Sequence, residues 1–368
     1  MALFTNDHAG PPSRPSRGPR SGWIVLSIAV VCGLLLAFVP SPYVIEQPGP
    51  VFDTLGSAQN ADGKDVPLIT IKEQKTYPTD GELNMLTVSV IGNPDQRPSW
   101  LEVAGAWFDS TKAVVPLEAV FPPNVTTQQR ESENQAAMVD SQQEAIAAAL
   151  THEGIAYSTT VAVMSFTQGS PAEGILKPDD QIVSVNGEKI TDITSLRAAL
   201  KVNGAGNPAA IGIERDGTNA TVQVAPIDKD GAVIAGINVK TDYAFPFPIT
   251  IRLNNVGGPS AGMMFALGIV DKLTPQSLTG GENIAGTGTI DPAGTVGPIG
   301  GIQQKMFGAK KAGADWFLAP ASNCGEVTGH IPDGLRVFSV KTLDDAATAL
   351  DAIRAGTGLD ALPTCPVG

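Results

Sequence analysis

Two side chains, 45 positions apart, carry the chemistry most readily read from this chain. Ser260 stands in the run Gly257-Gly258-Pro259-Ser260-Ala261-Gly262, whose small residues let the backbone turn and leave the hydroxyl uncrowded. Lys305 follows Gly300-Gly301 on a stretch that reads as a helix, close enough to its start to point back at the serine. A serine hydroxyl attacks only when a neighbouring base takes its proton. A lysine near its usual pKa of about 10.4 is charged at neutral pH and does not serve. Apolar surroundings depress that value, and Ile299, Ile302, Met306 and Phe307 supply them here. Backbone around Gly258, Pro259 and Ser260 is expected to hold a developing oxyanion, helped by the positive end of the following helix. On its own loop Ser260 stays open among three readings. It is a helix N-cap, a G-x-S-x-G elbow with Ser260, Asp315 and His330 in triad order, or a lysine-activated nucleophile.

The elements that must position this pair are legible on both sides. PFPITIRL (246–253) alternates as a strand into the serine loop, and the ten apolar-rich residues after it form a buried helix. GTIDPAGTVGPIGG predicts two short strands about a Pro-Ala-Gly turn before the lysine helix, and AGADWFLAP a turn and a buried strand after it. Upstream, 131–150 has no Gly or Pro and predicts an amphipathic helix ended by Gly154. VAVMSF (161–166) reads as a buried strand and SPAEG (170–174) as a short helix. IVSV follows, then an Asn-Gly turn, a helix at 192–200, and a hairpin (209–224) turning at Asp216-Gly217. Short β-like runs, VPLITI (66–71) and MLTVSVI (85–91), lie in a stretch without readable chemistry.

The chain has 368 residues and a net charge of −13, which argues against general nucleic-acid binding. That charge is unevenly placed. Arg14, Arg17 and Arg20 outweigh Asp7 ahead of residues 23–39, which carry no charge at all. This pattern predicts a membrane-spanning helix with a cytoplasmic N-terminus and the bulk of the chain outside; a cleaved signal peptide is the competing reading. Of three cysteines, Cys32 falls in that segment, leaving Cys324 and Cys365 free to pair in an oxidising compartment. No metal-binding motif or phosphate loop is present in the sequence, and no cofactor is expected.

The residues also carry resemblances. SPAEG-x-LKPDDQIVSVNG is similar to the PDZ domains of bacterial envelope proteases, which capture extended or C-terminal segments. The resemblance implies a ligand groove, assigned to Gly154, Ile155, Ala156 and Tyr157. GGPSAG, with Thr287-Gly288-Thr289-Ile290 and then VGPIGGIQQK, resembles the proteolytic domain of the Lon family. That resemblance implies Ser260 as nucleophile, Lys305 as general base and Thr287 as the residue that orients the lysine. The family pattern often has an acidic residue where this chain has Gly257. Together the features resemble the membrane-bound PDZ–Lon proteases of Gram-positive bacteria, which use no ATP.

The expected fold class is α+β and multidomain. A disordered cytoplasmic tail (1–22) precedes the transmembrane helix (23–39). A β-rich extracytoplasmic region (40–130), a connecting helix (131–153), a PDZ domain (154–228), a Lon-type domain (229–355) and a C-terminal tail (356–368) follow. The expected function is ATP-independent endopeptidase cleavage of exported or membrane proteins by a Ser-Lys dyad. The expected partners are extended or C-terminal protein segments, the membrane, and a second copy of the chain. The alternatives are a non-catalytic PDZ adaptor of the cell envelope and an α/β-hydrolase. The latter is disfavoured because only about 30 residues separate the PDZ-like region from the serine, too few for the βα units a hydrolase sheet needs.

Overall fold

Residues 20–59, 63–123, 125–229, 231–253 and 256–366 are described by the computed structural model, so most of the expected N-terminal tail lies outside them. Helix α1 (Arg20–Phe38) leads into β1 (Tyr43–Asp53), β2 (Ile69–Ile71) and β3 (Glu82–Ile91). Next come α2 (Trp100–Trp107), β4 (Ala113–Pro116) and the long helix α3 (Thr127–His152). Strands β5 (Ser158–Phe166) and β6 (Gln181–Val185), helix α4 (Ile193–Asn203) and strands β7 (Ala209–Arg215), β8 (Thr218–Val224) and β9 (Ile237–Ala244) follow. The last part holds β10 (Ile249–Ile251), α5 (Gly262–Leu273), β11 (Asn283–Gly286), β12 (Thr289–Ile290) and β13 (Val296–Gly297). Helix α6 (Ile302–Lys311), β14 (Trp316–Pro320), β15 (Arg336–Val340) and α7 (Leu343–Ala355) complete it.

The chain divides into two compact units, Met1–Pro48 with Ser89–Thr127 and Gly49–Val88 with Gln128–Gly368. In the first, the start of β1 pairs antiparallel with β4, Tyr43 opposite Pro116. A Ser99/Glu102 capping box starts α2, and Ser41 N–H donates to Pro98 O at 2.8 Å. The described side chains of α1 are exposed except the half-buried Ala37, Trp23 by 69% and Phe38 by 78%. Among the described residues no helix is long and apolar enough to cross a membrane. The crossing expected at 23–39 is therefore not borne out by the described residues.

In the second unit one sheet has the order β15-β14-β11-β3-β1. Its strands β15, β14, β11 and β3 are mutually parallel, with Ile284 opposite Trp316 on one side and Leu83 on the other. Helix α5 is buried along almost its whole length, Met263 to Val270 being under 2% exposed, and joins one core with Ile69, Leu83, Met85, Ile146 and Leu350. That core corrects the expected domain boundaries. Strands β2 and β3 come from the region read as a separate β-rich domain, and α3 is the helix read as a connector, yet all three complete the core around Ser260. A parallel strand such as β11, buried on both faces, needs a neighbour on each edge, and β3 supplies one.

The PDZ-like sheet, β8-β7-β6-β5-β9, is thus inserted between α3 and β10. It has its own core of Val161, Val163, Ile182, Leu196 and Ile211. Asp192 and Ser195 form the capping box of α4. Asn186-Gly187 and Asp216-Gly217 make the tight turns in left-handed backbone. The SPAEG segment is turns rather than the expected helix, because Ser170 Oγ ties Ala172 N–H to Ala235 O.

Candidate active site

Ser260 ends the loop before α5. The helix cap is Ala261 and no side chain caps it, so the serine hydroxyl is left for other work. Two donors fix the Ser260 carbonyl, Thr287 Oγ1 at 2.9 Å and Gly288 N–H at 2.9 Å. Met263 N–H in turn donates to Gly288 O. The turn between β11 and β12 therefore grips the first residues of α5. On the other side α3 braces the loop: Asn134 O accepts Gly258 N–H at 2.9 Å and Ser141 Oγ donates to Pro259 O at 2.9 Å. Gly257 is required there, since a Cβ at that position would lie 2.9 Å from Asn134 Cβ.

Lys305 enters from α6. The helix begins at Gly301, whose left-handed backbone (φ +67°) and contact with Val88 at 2.6 Å from a would-be Cβ admit only glycine. One turn on, Lys305 is 2% exposed beside the fully buried Ile302 and Met306. Its Nζ lies 2.8 Å from Ser260 Oγ and 2.9 Å from Thr287 Oγ1. Among the described residues no carboxylate forms an ion pair with it. Burial alone therefore pulls its pKa down, to about 8. The other lysines of α6 behave as a solvated face, Lys310 pairing with Asp315 at 3.0 Å. That contact also removes Asp315 from any triad, and the hydroxyl of Ser260 meets an amine rather than His330.

The oxyanion assignment narrows. Gly258 N–H is already donated to Asn134 O and Pro259 has no N–H, so of the expected backbone only Ser260 N–H is unengaged among the described residues. The groove expected at Gly154–Tyr157 is also not an open carboxylate-binding loop. Ile155 N–H is donated to Leu150 O, and Ile155 and Tyr157 pack on the core around α5. Tyr157 meets Phe245 edge-on, ring centroids 5.6 Å apart, and lies tilted against Tyr243. One edge of that sheet is β9, which pairs along β5 from Ile237 opposite Phe166 to Ala244 opposite Ser158. Gly236, with φ +70°, precedes it; an apolar-Gly-apolar run ahead of an alternating strand was the available signal.

Cys324 and Cys365 are joined by a disulfide. Beside them, Asn323 accepts from Ile299 N–H at 3.0 Å and donates to Ile299 O at 2.8 Å, holding the Pro-Ile-Gly-Gly lead into α6. Sequence reasoning missed Asn323, as it missed Asn134 and Ser141, because none sits in a motif. Among the described residues no group of His, Cys, Asp or Glu is arranged to hold a metal.

A buried serine–lysine–threonine contact is the arrangement of a lysine-activated nucleophile, and the comparisons with known proteins find similarity to peptidases. Residues 255–351 match the Lon protease (S16) C-terminal proteolytic domain, and residues 130–225 match the PDZ domain. The chain is 39% identical over 92 residues to Lon protease 1 of Sorangium cellulosum, covering 24% of this chain and 11% of that protein. It is 38% identical over 98 residues to Lon protease of Geobacter metallireducens, covering 26% and 12%. The match thus spans about a tenth of the length of these curated relatives. Among solved structures, the PDZ domain of an SdrC-like protein from Listeria monocytogenes is similar at 22% identity, covering 22% of this chain and 85% of that one, with a TM-score of 0.20. The corresponding PDZ domain from Listeria innocua is similar at 24% identity, covering 22% and 92%, with a TM-score of 0.21. A segment matching a PDZ domain thus precedes one matching a Lon-type proteolytic domain.

Proposed function

We propose that the chain is an ATP-independent endopeptidase in which Ser260 and Lys305 form the catalytic dyad and the PDZ domain selects segments of exported or membrane proteins. The observation that carries this reading is the buried Lys305 Nζ, 2.8 Å from Ser260 Oγ. At a pKa of about 8, about a tenth of Lys305 is neutral at pH 7, about 300-fold more than for a lysine at 10.5. The neutral amine takes the Ser260 proton as Oγ bonds to the substrate carbonyl carbon. The charge that moves to the carbonyl oxygen faces Ser260 N–H. Lys305 then gives its proton to the departing amine, the peptide bond breaks, and an acyl-enzyme remains. Water, deprotonated by Lys305, releases the second product. Thr287 Oγ1, bonded to both partners, keeps Nζ on the serine.

The scissile segment lies as a strand on the outer edge of β10. Lys72 N–H bonds to Pro248 O and Arg252 N–H to Leu68 O, so residues 248, 250 and 252 face β2. By alternation the backbone groups of Ile249, Ile251 and Leu253 face the other way. ATP independence is supported by the lack of a phosphate loop in this sequence. The disulfide supports an oxidising compartment for the protease domain. Anchoring by residues 23–39 is supported by their uncharged sequence, and by exposed Leu101 and Trp107 on α2 and Phe108 just after it.

Fluorophosphonate labelling and peptide cleavage by the purified chain, alongside Ser260→Ala and Lys305→Arg, test the dyad. Loss of both signals in both variants is expected, and an active Lys305→Arg refutes the mechanism. Alkaline extraction of membranes tests the anchor, with release into the soluble fraction counting against it.

A further inference from the structure

Residues 298–301, between β13 and the start of α6, belong to no strand, so sheet pairing does not fix where the lysine helix begins. The turn at 323–327 does. Asn323, 2% exposed, uses its whole amide. Its Oδ1 accepts Ile299 N–H at 3.0 Å, and its Nδ2 donates to Ile299 O at 2.8 Å and to Glu326 Oε1 at 3.0 Å. From α6 itself, Gln303 Nε2 donates to Glu326 O at 3.1 Å. The buried Val327 shares a core with Ile302 and Met306, which flank Lys305 on its helix. Lys305 N–H closes on Gly301 O at 3.1 Å, so the direction of its side chain follows from where residues 299–301 are held. The C-terminal tail ties this turn down in its own right. Cys324 is bonded to Cys365, which is 4% exposed in that same core. On either side of Cys365, Pro363 O accepts Ser339 N–H at 2.9 Å and Pro366 O accepts Thr328 Oγ1 at 2.8 Å.

We propose, on the reading that Ser260 and Lys305 are a catalytic dyad, that Asn323 is a positioning residue for the lysine and the disulfide the redox latch that keeps it in place. Cys324 is half-buried and Cys365 nearly covered, so an external dithiol reaches Cys324 first. One of its thiolates attacks Cys324 Sγ, the S–S bond breaks, and the electron pair leaves on Cys365 Sγ, which takes up a proton. The second thiolate of the reductant then attacks its partner sulfur in the mixed disulfide and frees Cys324, which is protonated in turn. Two electrons and two protons pass to the pair, and the reductant departs as a disulfide. With the link open, hydrogen bonds and packing alone restrain the turn at 323–327. The start of α6 loosens, water reaches Lys305, and its pKa rises toward the ordinary lysine value. A chain in a reducing compartment therefore carries a poorly assembled dyad, and oxidation completes it.

The test uses the full chain in detergent, with single-turnover fluorophosphonate labelling of Ser260 across pH and near-ultraviolet circular dichroism to confirm the fold in each state. Oxidised wild type is expected to label with a midpoint of about 8. Dithiothreitol, or the double variant Cys324→Ser/Cys365→Ser without it, is expected to raise the midpoint by about one unit, about tenfold slower labelling at pH 7. That variant keeps Cys32, and dithiothreitol should slow it no further. Asn323→Ala should raise the midpoint to the same extent with the disulfide intact. Amide exchange across 299–305 should quicken in each case. Should these chains lose their fold, Gln303→Ala removes one bond between α6 and the turn and suits a helix; it should raise the midpoint by about half a unit, about threefold at pH 7. A disulfide that changes only the denaturant midpoint, with one pH midpoint for oxidised and reduced folded chain, is a plain staple and overturns the latch. An unshifted Asn323→Ala overturns the route through that residue. Oxidised wild type that never labels removes the dyad reading itself, an outcome distinct from both.

Discussion

Raising the pH should switch on acylation of Ser260 over a window set by the burial of Lys305. With a pKa of about 8 in the fold, the neutral fraction rises about tenfold per unit below pH 8 and levels off above about pH 9. From pH 6 to 8 the gain is about 50-fold. An ordinary exposed lysine keeps gaining to beyond pH 10. The assay is the single-turnover rate of Ser260 labelling by a fluorophosphonate, or of acylation by a peptide ester, from pH 6 to 11. The same burial bears on stability. Moving the pKa from 10.5 to about 8 corresponds to about 3 kcal/mol, at about 1.36 kcal/mol per pH unit. Between those values the unfolded chain binds more protons than the folded one, so stability rises with pH from about 8 to 10.5 and is lost again as pH falls toward 8. Lys305→Met keeps the side-chain length and removes the charge. Denaturant unfolding should show it more stable than wild type at pH 7 by up to about 3 kcal/mol, less the two lost hydroxyl contacts, with the gap closing near pH 10.5. A labelling rate that climbs past pH 10, or a stability gap that ignores pH, refutes the argument that burial makes this lysine a base.

Thr287→Val keeps the shape and removes the hydroxyl that bonds both Lys305 Nζ and Ser260 O. Acylation should fall about tenfold, the equivalent of one hydrogen bond of about 1.4 kcal/mol, with circular dichroism unchanged. Ser141→Ala leaves Pro259 O without its donor and should slow acylation several-fold through the loop rather than the dyad, leaving the pH midpoint in place. Gly257→Asp introduces a Cβ 2.9 Å from Asn134 Cβ and should displace the serine loop, measured as loss of labelling in a chain that still melts cooperatively. Cys324→Ser opens the link across a separation of 41 residues, a loss of about 4 kcal/mol on the loop-entropy model, to be read in the denaturant midpoint of the oxidised protein.

Much of the site was legible because its chemistry is local. Glycines at 258, 300 and 301 announce tight backbone around a serine and a lysine, and Pro-Ala-Gly marks the turn between β12 and β13. The hairpins at Asn186-Gly187 and Asp216-Gly217 were readable for the same reason, since left-handed backbone selects those residues. The partner of β5 was not legible because it comes from 71 residues further on, Ile237 opposite Phe166, and no local pattern carries such a pairing. The domain boundary failed likewise. Strand β3 looks like any short β run, and only its parallel pairing with β11, Leu83 opposite Ile284, makes it part of the core around Ser260.

Sequence by itself determined the reacting groups, the small residues that clear space for them, and the uncharged N-terminal segment, because side-chain type and backbone freedom are properties of single positions. Tertiary structure decided the rest. It brought Nζ within 2.8 Å of Oγ across 45 residues and buried the lysine until its proton became removable. It also placed α3, from the far side of an inserted domain, against the serine loop at Asn134 and Ser141. Distance, burial and the engagement of a given N–H depend on what the rest of the chain brings alongside, and that is fixed only when the core closes.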